Sequence, residues 1–172
     1  MRIALRRFDA KDIANKVKWI NDSQNNAYLH YELPLEVEKT RAWFEKNKDR
    51  NDRFDAVIEA DNTPVGLIGL LGIDLKNSKA EYYICIGEQW AKGQGIAKEA
   101  SKELLKYAFD NLKLNKVYLY TEKENILAQK LFEKLGFSKE GLLKEDLIYN
   151  GRKVDRFFYG FTKQEYEAKY SN

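Results

Sequence analysis

Cysteine, histidine and methionine each occur once among the 172 residues, as Cys85, His30 and Met1. One thiol excludes an intrachain disulfide and a zinc site built on several thiolates, and one imidazole excludes a histidine-rich metal centre. No metal is expected. Proline occurs twice and glycine ten times, with no low-complexity run and no repeat, so nothing marks a linker and residues 1–172 read as a single domain. No apolar run approaches the length that spans a bilayer, and the opening MRIALRRFDAKD lacks the apolar core of a signal peptide. A cytoplasmic protein with no membrane partner is the expectation. Charge is abundant but balanced, 30 Lys plus Arg against 27 Asp plus Glu for a net +3, and no continuous basic stripe points to nucleic acid. What is present is a core: 44% hydrophobic and 13% aromatic residues, in a chain long enough to bury roughly two thirds of its unfolded surface.

The pattern along the chain alternates between the two hydrophobic periods. Ile3 and Leu5 mark a strand over Arg2–Arg7. Asp9 is placed to cap a helix carrying Ile13, Val17 and Ile20, and a second helix over Glu36–Asn47 puts Val37, Thr40, Trp43 and Phe44 on one face. Two apolar runs around Asp61-Asn62-Thr63-Pro64 predict a hairpin, and Lys79–Ile86 a further strand. From Ile96 the period becomes helical through Ala100, Leu104, Ala108 and Leu112. Lys116–Thr121 reads as a strand, and Asn125 caps a helix whose buried stripe is Leu127 or Ala128, Leu131, Phe132 and Leu135. Gly136-Phe137 has the form of a Schellman stop. A last hairpin turns at Asn150-Gly151, the pair that a type I′ turn prefers.

Between the third predicted strand of the meander and the following helix stands KGQGIA, in which Gly93, Gly95 and Ala97 alternate. A helix N-terminus presents unpaired N–H groups and a partial positive charge, and small residues before it let an anion approach. Read locally, the segment is either a phosphate cradle or a glycine-rich turn with no ligand. It is not a P-loop, because G-x-x-x-x-G-K-[S/T] is absent, and Lys98 stands where G-x-G-x-x-G needs its third glycine.

With the strand AEYYICI before it and ENILAQKLFEKLGF after it, this segment resembles the Q/R-x-x-G-x-G/A motif of the GCN5-related N-acetyltransferases, with Lys92, Gly95 and Ala97 at the three motif positions. The opening LRRFDAKDI, the helix LPLEVEKTRAWFEK and the ending IYNGRKVDRFFYGFTKQEY are similar to the branch holding ribosomal-protein N-terminal and spermidine acetyltransferases. The resemblance implies an α/β (α+β) fold with a central, mostly antiparallel mixed sheet of six to seven strands, flanked by about four helices. It implies transfer of the acetyl group of acetyl-CoA directly to a primary amine. It also implies that the backbone of Cys85, Ile86 and Gly87, where the strand splays from its neighbour, holds the pantetheine, and that the amides of Lys92, Gly93, Gln94, Gly95, Ile96, Ala97 and Lys98 hold the pyrophosphate. Asn125, Leu127 and Ala128 would line the other side of the pantetheine arm. Lysine at position 92 keeps a point charge for phosphate but loses the planar fork of arginine.

For the chemistry, the resemblance points to Glu81 as the group that handles the acceptor's proton, directly or through water; a salt-bridged strand glutamate is the plain alternative. Many relatives carry an acidic tyrosine where this chain has Phe132, and phenylalanine cannot donate a proton. Water, Tyr82, Tyr83, Tyr118 or Tyr120 remain as donors, or the thiolate leaves unassisted. A coenzyme A-binding module without turnover is the alternative function. Tyr28, Tyr31, Glu32 and Tyr82 are the expected acceptor contacts, since aromatic faces and carboxylates suit a cationic amine. A polyamine, a protein N-terminus, or an aminosugar nucleotide held by Arg41, Arg50, Arg53, Arg152 or Arg156 all remain open as acceptors, and the C-terminal strand pair is compatible with a homodimer.

Overall fold

The computed structural model describes residues 1–170. Seven strands form one sheet in the order β1-β2-β3-β4-β5-β7-β6: β1 (Ile3–Arg7), β2 (Phe54–Ala60), β3 (Thr63–Asp74), β4 (Lys79–Ile86), β5 (Lys116–Glu122), β6 (Ser138–Tyr149) and β7 (Arg152–Thr162). Every neighbouring pair is antiparallel except β4 and β5. Parallel strands need a crossover, and α3 (Ile96–Lys106), extended by a π-helical turn over Tyr107–Asn111, supplies it.

Alternation along the strands divides the core in two. Ile58, Ile68 and Leu70 face α3, α4 (Ile126–Leu135) and α5 (Lys163–Tyr170), where they meet Leu104, Phe109, Leu135 and Tyr166. On the opposite face Val57 and Leu67 meet Ile13 and Trp19 of α1 (Ile13–Asn21) and Phe44 of α2 (Val37–Asn47). The period-two geometry of a strand makes this division.

Several expectations shift in detail. Asp9 caps a short 3₁₀ turn, Ala10–Asp12, in a reciprocal capping box with Asp12, and α1 starts only after it. The buried stripe of α1 includes Lys16 and Trp19, while Val17 is half-buried. The β2–β3 turn consists of Asp61 and Asn62 alone, with φ of 47° and 67°; Pro64 lies inside β3, beside the register shift at Ile58/Glu59, where an absent N–H is tolerated. Leu127 is 81% exposed, so Ala128 holds its place in the α4 stripe. Among the described residues there are five α-helices, against about four expected. The fifth starts at a Thr162–Glu165 capping box and stacks Tyr166 on Phe109 at 4.6 Å.

Candidate active site

The sheet comes apart at its one parallel junction. β4 and β5 pair only through Lys79, Ala80 and Glu81, opposite Lys116, Val117 and Tyr118. Beyond Glu81 that edge of β4 has no strand beside it among the described residues, although β4 continues to Ile86 and β5 to Glu122. The gap is walled by α3, α4 and the α1–α2 loop and opens a cavity of about 940 Å³, ample for a cofactor-sized ligand.

At one end lies the start of α3. Gly93 and Gly95 have φ of 74° and 79°, the left-handed region, and a Cβ at either would meet no atom within 4 Å. Backbone conformation, not crowding, is what glycine supplies here. Gly95 offers no side-chain cap to α3, and the N–H groups from Gly93 to Lys98 have no loop acceptor among the described residues, as expected of an uncapped helix start. Lys98 lines the cavity, as do Lys130 and Lys134 of α4. The latter pair escaped the sequence reading; its i, i+4 spacing, which places both on one helix face, is the signal that was available.

Lys92 lines the cavity as expected, but its ammonium is already engaged. Its Nζ donates to Gln24 O at 3.1 Å and to Asn25 Oδ1, so the ammonium ties down the α1–α2 loop. Gln94 is exposed and its side chain lies outside the cavity.

Along β4, Cys85 and Ile86 line the gap. Burial pushes the Cys85 thiol up to about 11 against the opposing charge of Lys92, leaving it protonated and poorly nucleophilic. Gly87 does not line the gap. Its N–H donates to Val65 O at 2.7 Å, its carbonyl accepts from Asn25 Nδ2 at 2.9 Å, and a Cβ would stand 2.1 Å from the Trp19 ring. It is a packing glycine. Across the gap Asn125 caps α4, accepting from Ala128 N at 3.3 Å, and Asn125, Leu127 and Ala128 all face the cavity.

Glu81 stands at the point of divergence, half-buried and lining the cavity, with no ion pair or side-chain hydrogen bond among the described residues. Burial raises its pKa, opposed by Arg156. The salt-bridged alternative therefore does not hold. Phe132 is buried against Tyr82, Phe137 and Tyr159. Two of the four tyrosines considered as proton donors are otherwise committed: Tyr82 bonds Ser101 Oγ at 2.6 Å, and Tyr83 donates to Asp55. Tyr82 is thus mostly a core residue, with its ring forming part of the cavity wall. Tyr120 lines the cavity with no partner for its hydroxyl among the described residues, under the Arg156 guanidinium at 4.5 Å.

On the acceptor side, Tyr28 and Tyr31 line the cavity, whereas Glu32 is exposed and outside it. Arg53 and Arg156 also line it; Arg152 is bound to Glu122, Arg50 to Asp52, and Arg41 is exposed. A cluster that the sequence reading missed occupies the far wall. Asp55 accepts two hydrogen bonds from Arg53, at 2.7 and 3.0 Å, and one from Tyr83. Burial pushes its carboxyl up, but these donors outweigh it and hold the pKa below the ordinary value. Beside it the Lys16 ammonium sits 3.6 Å from the Trp43 ring centroid.

The Acetyltransferase (GNAT) domain family matches residues 2–138. The chain is 32% identical to the spermidine N(1)-acetyltransferase of Escherichia coli (strain K12), over 87% of this chain and 80% of that one. It is equally 32% identical to the putative ribosomal N-acetyltransferase YdaF of Bacillus subtilis (strain 168), over 88% and 80%. Its structure superposes on the spermidine N-acetyltransferase of Vibrio cholerae in complex with CoA and spermine with a TM-score of 0.88 and 29% identity, covering 95% of this chain and 97% of that one.

Proposed function

Since that family match spans residues 2–138, the chain belongs to the GNAT acetyltransferases, and from this premise we propose how its cleft performs N-acetylation. The protein is an N-acetyltransferase that moves the acetyl group of acetyl-CoA to a primary amine of a small molecule or a protein N-terminus. The observation that carries the assignment of parts is the divergence of β4 from β5 at Glu81, in one cavity with the open amides of α3.

The free edge of β4 at Cys85 and Ile86 offers peptide groups to the pantetheine amides, as an added strand does. The amides from Gly93 to Lys98, with Lys98, Lys130 and Lys134 around them, hold the diphosphate. Asn125, Leu127 and Ala128 close the opposite side. When bound, the thioester supplies an activated acetyl carbon and a thiolate leaving group. Glu81, unpaired and facing the cavity, attracts the acceptor's ammonium and takes its proton, directly or through one water; its raised pKa makes it a better base than an exposed carboxylate. Tyr120 or water returns a proton to sulfur. Tyr28 and Tyr31 contact the acceptor.

Thiol release from acetyl-CoA, measured against spermidine, N-terminal peptides, amino acids and aminosugars, tests the reading. At least one amine should turn over, and Glu81→Gln should lower kcat by about 10²-fold or more with CoA affinity retained. Silence across the panel, with CoA bound, would instead support a binding module.

A further inference from the structure

Lys16 belongs to the buried stripe of α1, with more than nine-tenths of the residue covered. Its Nζ makes no hydrogen bond and no ion pair among the described residues, yet it is not sealed off: no buried side-chain nitrogen or oxygen lacks a partner, and Lys16 lines the cavity that holds Glu81. A buried ammonium without a counter-ion is costly, and burial lowers the Lys16 pKa to about 8.

The neighbouring charges do not neutralise it. Asp55 is the nearest carboxylate in influence, but it is already engaged by both Arg53 bonds and by Tyr83. Two cations therefore face one carboxylate, in a pocket otherwise walled by Trp43 and Tyr31. The register fixes where this surplus charge lies. Asp55 pairs with Gly69, Gly69 with Tyr83, and Glu81 is two residues along β4 on the same face as Tyr83. With strands about 4.8 Å apart and about 3.4 Å per residue, Glu81 and Asp55 have their α-carbons roughly 12 Å apart. A small molecule spans that distance.

Building on the N-acetyltransferase reading, we infer that the acceptor carries an acidic group at the end opposite its amine, which Lys16 binds while Glu81 receives the amine. The shared chemistry is an anion on a short aminated chain, a carboxylate as in an amino acid or short peptide, or a phosphate. A polyamine brings a second cation to Lys16 and Arg53 and is disfavoured.

Paired acceptors test this: glycyl-leucine against its C-terminal amide, and phosphoethanolamine against ethanolamine, with spermidine as the cationic comparison. Thiol release gives kcat/KM for each; calorimetry on the CoA-saturated protein gives affinity independently of turnover. The expected result is a preference of tenfold or more for the acidic member of one pair. That preference should collapse toward unity in Lys16→Met and Lys16→Gln and return in Lys16→Arg, all three checked for folding by circular dichroism. The pair that shows the preference identifies carboxylate or phosphate. Equal affinity within both pairs, no binding of any acid, a preference that survives in the folded Lys16 variants, or spermidine as the best acceptor overturns the inference. Acid bound through Lys16 without thiol release would leave the anion site standing and place the failure in the transferase reading of the cleft.

Discussion

A lysine held in an apolar pocket destabilises the fold that holds it. Burial lowers the Lys16 pKa from 10.5 to about 8, and at about 1.4 kcal/mol per unit it costs on the order of 3–4 kcal/mol while the group stays charged. The native state binds the Lys16 proton more weakly than the unfolded chain does. Stability therefore rises with pH between about 8 and 10.5, and below about 8 the full penalty is present. Lys16→Met should raise the unfolding free energy at pH 7 by roughly 1–3 kcal/mol, an advantage that shrinks toward pH 10; denaturant titrations at the two values check both size and sign. An unchanged midpoint at pH 7 would mean that contact with Trp43 already offsets the desolvation. The sequence did not disclose this residue. Lys16 stands three residues from Ile13 and four from Ile20, inside the stripe, but a lysine between apolar positions reads by its charge as surface. The small residues before α3 were legible because their pattern lies along one segment, and Glu81 was singled out only through the family resemblance. The Lys16–Arg53–Asp55 cluster joins α1 to β2, and only the folded sheet brings those together.

At the scale of elements, the start of α3 makes a separable prediction. Any residue other than glycine at position 95 must adopt φ near 79°, which costs about 1–2 kcal/mol; no steric clash adds to it. Asparagine tolerates that region better than most residues. Gly95→Asn should bind CoA within a few-fold of the native protein, whereas Gly95→Glu should lose at least about tenfold relative to the equally strained Gly95→Gln, since it sets a carboxylate against the diphosphate. Calorimetric titration of all three separates strain from charge, and equal affinities of Gly95→Glu and Gly95→Gln would remove the cradle assignment. Local signals wrote most of the elements plainly. Asn150-Gly151 turns with φ of 51° and 76°, and Phe137 N donates to Phe132 O while Gly136 N donates to Glu133 O, completing the Schellman motif. The Thr162–Glu165 box was equally local, yet α5 was missed because the eight residues it opens are mostly polar, with Tyr166 its one buried side chain. That β4 splays from its neighbour was implied only by the family resemblance: both segments read as full strands, and nothing in either shows that their pairing stops after three pairs.

For the molecule as a whole, that divergence means that the sheet's two halves need a second tie, and the α1–α2 loop supplies it. On the β4–α3 side Gln89 donates to Asp22 and Asn25, and Lys92 to Gln24. On the β5–α4 side Tyr28 donates to Glu124 O and His30 meets the Glu122 carboxylate at 2.9 Å. The β6–β7 hairpin joins in: Tyr149 donates to Tyr31 O at 2.6 Å, and Arg152 reaches Glu122 at 3.2 Å. The Glu122 side chain, 1% exposed, is where loop, sheet and hairpin converge. Glu122→Gln weakens two charge-assisted bonds and should cost about 1–3 kcal/mol, a fall in Tm of about 2–4 °C for each. Because the loss is local, amide exchange should quicken through the α1–α2 loop and the end of β5, and remain slow in β2 and β3. Ligand in the cleft touches both halves, so CoA at a hundredfold its Kd adds about 2.7 kcal/mol. CoA-saturated Glu122→Gln should therefore melt near or above the free native protein, with exchange in the loop slowed again. If CoA raises Tm without restoring protection there, the loop holds the two halves together independently of the ligand, and the cleft does not close on what it binds.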